Sequence, residues 1–340
     1  MLKAKLKASA FAMSYLSNAE RARGAVTKLM VAPSKNLSFI SPMGVKLCAV
    51  RLEAKPYRKL GDFAADMNRY VAEAVSAGAQ LVAFPELTGM LAMTLMPGFS
   101  SVLGDLRNLE RDWENLSEAF RMTLEAVHGF VGELYLNTFS QLAQAHRVVI
   151  AAGSAYTIES GRIHHRHYLF SENGELAGTQ VKLFPSPAER RLGVTEGERL
   201  TPAETKLGRV ALLGGWETAQ FEPFYVAAAM GCPIAVAGAS PAGGDPPLAR
   251  YRAQEARMAV ICPGLSGGGA FGWDFQFEPA IYAPLAATRT RDGVVAAADV
   301  DTLTARVDLG KITGQFDIYS ADKNFEFIKN SFLEPVGVSD

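Results

Sequence analysis

Three short stretches of this 340-residue chain each run along apolar residues and end on a position where chemistry can be done. Glu86 follows Leu81-Val82-Ala83-Phe84-Pro85, Lys182 closes Leu176-Ala177-Gly178-Thr179-Gln180-Val181, and Gly215 follows Arg209-Val210-Ala211-Leu212-Leu213-Gly214. In open α/β sheets ligands bind at the carboxyl ends of strands, where the loops present side chains over the sheet edge. A carboxylate and an ammonium converging there make a general base beside a fixed cation, and the cation can stabilise an oxyanion. Taken singly, each residue is ordinary: a Glu after a strand usually caps or faces solvent, and a lone Lys is usually solvated. The shared strand-end setting is what singles them out.

Positioning these residues requires alternating strands and helices, and the hydrophobic pattern supplies them. Val45–Leu52 is β-rich; then Leu60, Phe63, Met67, Tyr70, Val71 and Val75 recur at three- and four-residue spacing, one apolar helix face that stops at Gly78. Residues 105–145 read as helical, broken near Gly129 and Gly132. A strand at Val148–Ala152 precedes Ile163–Phe170 and Leu176–Leu183, which flank a hairpin-type turn at Glu172-Asn173-Gly174-Glu175. The second half repeats the theme. Val210–Leu213, Ile234–Ala237 and Val260–Ile261 read as strands, Phe221–Met230 and Leu248–Met258 as helices, and Ala280–Leu285 and Val294–Val300 as late β runs. A layered α/β domain over residues 45–310 is expected, between a basic, helical arm at 1–44 and a tail at 311–340 that makes a dimer contact.

Together the three segments resemble the nitrilase, or carbon-nitrogen hydrolase, superfamily. Its pattern is a strand ending in Phe-Pro-Glu, then Lys-x-x-Leu-Phe-Pro with a second Glu, then Gly-Arg, a hydrophobic strand and Cys-Tyr/Trp-Asp. Here the segments are LVAFPEL at 81–87, KLFPSPAE at 182–189 and GRVALLGGWE at 208–217, and the likeness extends to Asp299-Val300-Asp301. The resemblance implies a four-layer α-β-β-α sandwich. It implies Glu86 as general base, Lys182 as oxyanion cation and Glu189 as an aid to substrate positioning or proton transfer. The backbone N–H of Trp216 becomes a second oxyanion donor, and Glu217 stands where the family has Asp. The implied ligands are small amide, nitrile or carboxylate-like molecules, and the implied assembly is a homodimer.

The departure is at the nucleophile, because the family's Cys falls on Gly215, and a hydrogen atom cannot attack a carbonyl or nitrile carbon. The Gly-Ser that commonly precedes the late strand is also absent at Gln276-Phe277-Glu278-Pro279, and extra helical sequence lies around 105–135. Thr218 and Ser240 are the nearest hydroxyls in sequence, without an evident base beyond Glu86. Cys48, Cys232 and Cys262 read as buried core residues.

The remaining features narrow the function by exclusion. A formal net charge of -1 gives no reason to expect nucleic acid. Residues 1–44 are the exception, with seven basic side chains against Glu20. The longest uncharged stretch, Pro223–Gly244, is interrupted by Gly231-Cys232-Pro233, so no integral membrane segment is expected. Three scattered cysteines suit a reducing, cytoplasmic setting and no zinc site. His165 and His167 alternate onto one strand face, read as solvated, so neither metal nor cofactor is expected. Gly264–Gly272 lacks the order of a phosphate or dinucleotide loop and reads as a flexible loop near the pocket. The leading expectation is therefore an inactive or strongly impaired nitrilase-type protein with a retained pocket. The alternatives are a hydrolase or hydratase working through Glu86-activated water or another nucleophile, and a structural oligomer whose basic arm touches a partner or a membrane.

Overall fold

A computed structural model describes Gly24 and residues 44–96, 98–99, 112–238, 246–268, 270 and 275–313. The basic arm, most of the tail and Ser240 lie outside these residues. In chain order the strands are β1 (Val45–Glu53), β2 (Leu81–Ala83), β3 (Val149–Glu159), β4 (Arg162–Phe170), β5 (Leu176–Val181), β6 (Val194–Thr195), β7 (Ala203–Thr205) and β8 (Gly208–Leu213). They continue as β9 (Ile234–Ala237), β10 (Ala259–Cys262), β11 (Gly264–Gly267), β12 (Phe275–Phe277), β13 (Ala280–Tyr282), β14 (Val294–Ala297) and β15 (Thr302–Val307). The helices are α1 (Leu60–Ser76), α2 (Trp113–His146), α3 (Pro187–Arg191), α4 (Glu222–Ala229), α5 (Pro246–Glu255) and α6 (Gly310–Thr313).

The strands form two sheets. One runs β12-β11-β1-β2-β3-β4-β5, with β15 beside β1 and β6 beside β4; the other runs β14-β13-β10-β9-β8-β7. Strand alternation divides the core into three layers. Leu47, Ala49, Leu81, Leu212, Val236 and Ile261 pack between the sheets. On the outer side of the first sheet, Cys48, Val50 and Val82 meet Phe63 and Tyr70 of α1 and Leu134 of α2. On the outer side of the second, Ala211, Leu213 and Val260 meet Phe224 of α4 and Ala253 of α5. Because a strand covered on both faces must be apolar on both, β2, β9 and β10 read as continuous apolar runs. The result is the expected α-β-β-α sandwich.

Four local expectations need correction. α2 runs unbroken through Gly129 and Gly132, where an added Cβ would meet nothing within 4 Å. Each glycine costs a helix about 1 kcal/mol, but burial of Leu124, Val127, Val131, Leu134, Phe139 and Leu142 holds the helix together across them. Gly264–Gly267, expected to be a loop, is β11 and pairs in parallel with Arg51–Glu53. The strand expected over Ala280–Leu285 ends at Tyr282, and a 3-10 turn follows at Leu285–Ala287. The late β run over Val294–Val300 stops at Ala297, and the following strand, β15, pairs antiparallel with β1.

One irregularity matters for the site. Ala151 pairs with Leu169, but Ser154 pairs with His167, so the register shifts by one residue around Gly153, whose φ is 78°. The bulge turns Ser154 and Tyr156 onto the face of Ala151, which they share with His165 and His167.

Candidate functional site

Glu86 stands just past β2 on a turn fixed from several sides. The Phe84 N–H continues the strand ladder to the Ala151 carbonyl at 2.8 Å, the Thr88 hydroxyl closes onto the Pro85 carbonyl at 2.7 Å, and the Leu87 N–H donates to Ser154 Oγ at 3.0 Å. Lys182 follows β5, its N–H held by the His165 carbonyl at 2.8 Å, and its side chain is fully buried. Its Nζ lies 3.1 Å from Glu86 Oε1 and 3.0 Å from Glu189 Oε2.

Glu189 belongs to α3, whose start is a capping box: the Glu189 N–H donates to Ser186 Oγ and the Ser186 N–H donates back to Glu189 Oε2 at 2.7 Å. Its other oxygen accepts from Tyr156 Oη at 3.1 Å and meets His165 Nδ1 at 2.6 Å. His165 Nε2 lies 2.6 Å from Ser154 Oγ.

Glu217 comes from the 3-10 turn at Trp216–Ala219 and is also fully buried. Oε1 accepts the N–H groups of Leu183 and Phe184 at 2.7 and 3.2 Å, and Oε2 accepts the Gly214 N–H. The longer acid arm thereby ties the strand end carrying Lys182 to the elbow after β8. Gly215 opens this turn with φ −61°, and Trp216 follows it. The glycine that faces the cluster is Gly214: a Cβ added there would overlap Glu86 Oε1 and lie 2.9 Å from Lys182 Cε and 3.2 Å from Glu217 Oε2. Glu86 and Lys182 approach that backbone more closely than a Cβ would permit, and Glu217 packs tightly beside them.

Burial raises the Glu86 carboxyl, yet the Lys182 ammonium, with His167 and His165, outweighs it and holds the group at about 2. Glu189 is also pulled below the carboxylate range, as His165, Lys182 and the Ser186 N–H overcome its desolvation. Glu217 goes the other way: its burial outweighs Lys182 and the backbone donors and raises it. Burial lowers His165, which keeps the ring neutral despite Glu189.

The sequence placed Glu86, Lys182, Glu189 and Glu217 in one locality, and the geometry joins all four. It did not bring in Ser154, Tyr156 or the two histidines. His165 and His167 are 1% and 5% exposed, so the expectation of a solvated face is overturned; two-residue alternation shows that side chains share a face but not what covers it. The three thiols are remote from the space between the sheets. Cys48 packs under the helices of the first sheet, and Cys232 and Cys262 pack on the outer side of the second. Burial pushes them up, Cys48 to about 12 and Cys232 to about 11, with Cys262 higher still.

The model of the carbon-nitrogen hydrolase family matches residues 49–312. The chain belongs to that family. A curated relative is the probable hydrolase YhcX of Bacillus subtilis (strain 168), 26% identical over 175 residues, which are 51% of this chain and 30% of YhcX. The chain thus aligns with less than a third of that relative's length. Among solved structures, Nit3 of Saccharomyces cerevisiae, a member of branch 10 of the nitrilase superfamily, superposes with a TM-score of 0.59 at 15% identity, covering 83% of this chain and 97% of Nit3. An amidase from Nesterenkonia sp. gives 0.56 at 17% identity, covering 86% and 100%. At such identities these structures share the fold, in agreement with the two-sheet sandwich.

Two outcomes are expected. Gly214→Ala should displace the Glu86 carboxylate and cost about 1–3 kcal/mol, as overpacking does; an unchanged urea midpoint would show that the elbow has slack. Glu86 and Glu189 have folded-state values below the ordinary 4.5, so their contribution to stability is complete above that value and drains away as pH falls. Chemical denaturation from about pH 5 to about pH 3 should show a steady loss of stability, smaller in Glu189→Gln; equal losses in both proteins would contradict the assignment.

Proposed function

We propose that this member of the carbon-nitrogen hydrolase family keeps the family's pocket but lacks its covalent step, so that it binds a small amide, nitrile or carboxylate-like molecule with little or no turnover. The observation that carries this reading is an intact, buried Glu86–Lys182–Glu189 cluster set against a Gly214-Gly215 elbow, with all three thiols on the far sides of the sheets. On this reading Glu86 stands at the general-base position, Lys182 and the Trp216 N–H face the developing oxyanion, Glu189 orients the ligand, and Glu217 braces the elbow. Losing the nucleophile from such a constellation costs on the order of a million-fold in rate.

A second reading, hydrolysis by Glu86-activated water, has one point in its favour. Both Glu86 oxygens lack hydrogen bonds among the described residues. A carboxylate held at about 2 is, however, a weak base, since base strength follows pKa. That favours the binding reading.

Phe221, Met230 and Tyr251 are exposed on and beside α4 and α5, which supports pairing of two copies through the outer face of the second sheet. Light scattering should report twice the chain mass, and a monomer at working concentration would contradict the pairing. For the site itself, Gly215→Cys should acquire amide hydrolysis together with labelling of a new thiol by iodoacetamide. The unaltered protein should show no turnover above background. If it already hydrolyses amides within about a hundredfold of the variant, the binding reading fails.

A further inference from the structure

We propose that Glu86, His165 and His167 form a binding site for a divalent transition-metal ion of the zinc class, held by two imidazoles and one carboxylate. The inference concerns the cluster alone and does not depend on what Gly215 does. One donor atom from each of the three residues lies within 4.8 Å of the other two, and all three residues are buried. His-x-His on a strand sends both rings to one face, and the rings stack 5.4 Å apart, inclined by 22°.

The second observation is a set of buried polar atoms without hydrogen bonds. Among the described residues, both oxygens of Glu86 and Nε2 of His167 are in this state, although Glu86 and His167 are 2% and 5% exposed. A buried polar atom left without a partner is destabilising, and two of these face each other: His167 Nε2 lies 3.6 Å from Glu86 Oε1. Lys182 Nζ also approaches Oε1, at 3.1 Å, which leaves Oε2 as the oxygen open to an ion.

His165 is already arranged as a metal ligand would be. Nδ1 is directed at Glu189 Oε1 at 2.6 Å, so with the proton on Nδ1 the Nε2 lone pair is free, and at present it receives the Ser154 hydroxyl at 2.6 Å. A carboxylate behind a ligating histidine fixes ring and tautomer in this way. Ser154 Oγ would still accept the Leu87 N–H once the ion displaced it.

Charge points in the same direction. The ionised Glu86 and Glu189 against the Lys182 ammonium leave the buried cluster at −1, or −2 with Glu217 ionised. One divalent ion brings it close to neutrality, which matters where water cannot screen. Two nitrogens and one oxygen select zinc and its neighbours over magnesium or calcium, which prefer oxygen throughout.

The test uses the full chain, stripped with chelator, dialysed, and equilibrated with zinc. Elemental analysis should find about one zinc per chain; zinc should raise the melting temperature, and cobalt in its place should give visible absorption that zinc abolishes. His167→Ala and Glu86→Gln, checked for folding by circular dichroism, should lower apparent affinity at least about tenfold, while His128→Ala, at an exposed histidine, should bind as before. If either site variant fails to fold, wild-type stoichiometry and the cobalt spectrum decide alone. Clearly substoichiometric zinc in the wild type, or occupancy unchanged in a folded His167→Ala protein, would overturn the proposal. Because the readout is occupancy, a negative amide assay leaves it standing, and a failure here leaves the amide-binding reading standing.

Discussion

Lys182 is an ammonium that solvent does not reach, and the architecture around it follows from that constraint. Removing such an ion from water costs several kcal/mol even after relaxation, and only close opposite charges with satisfied donors offset the penalty. Two acids answer it at 3.1 and 3.0 Å, one from the end of β2 and one from α3. The three charges come from three separate elements, so the ion cluster exists only when the β2 and β5 ends and α3 are all in place.

The second sheet enters through Glu217. Its carboxylate spans the gap between sheets, taking backbone N–H groups from Leu183 and Phe184 on one side and Gly214 on the other. This side chain supplies acceptors for strand ends that would otherwise leave buried donors unpaired. A glycine at 214 is what lets the cluster sit this close, because Glu86 and Lys182 occupy the volume a Cβ would need.

Much of this was legible in the sequence, for identifiable physical reasons. Buried strands such as Ile234–Ala237 announce themselves because both faces must be apolar, and the turn between β4 and β5 because its Asn-Gly pair tolerates left-handed backbone; Gly174 has φ 83°. Glu86 and Lys182 were singled out by their strand-end setting, and Glu189 by the family resemblance of the segment that carries it. Two kinds of information were not readable. Local propensity at Gly129 and Gly132 pointed to a break that tertiary packing overrode. The bulge at Gly153, which turns Ser154 toward the histidines, is a register event between strands, and periodicity within one strand carries no trace of it. His165 and His167 were misjudged for the same reason, since burial depends on what lies across from a face.

On the proposed binding reading, the charge balance of the cluster also narrows what the site would hold. A lysine has three N–H donors, and on that reading the one not directed at Glu86 or Glu189 would meet a ligand oxygen. A ligand that brings a further carboxylate would add negative charge to a buried set already at −1 or below, with no water to screen it. A neutral amide would add none: on that reading its oxygen takes the remaining Lys182 donor while an N–H group meets Glu86 Oε2, which has no hydrogen bond among the described residues. Among the ligand classes that suit the family resemblance, the electrostatics of this cluster therefore favour the amide over the acid, unless a bound cation first neutralises the surplus.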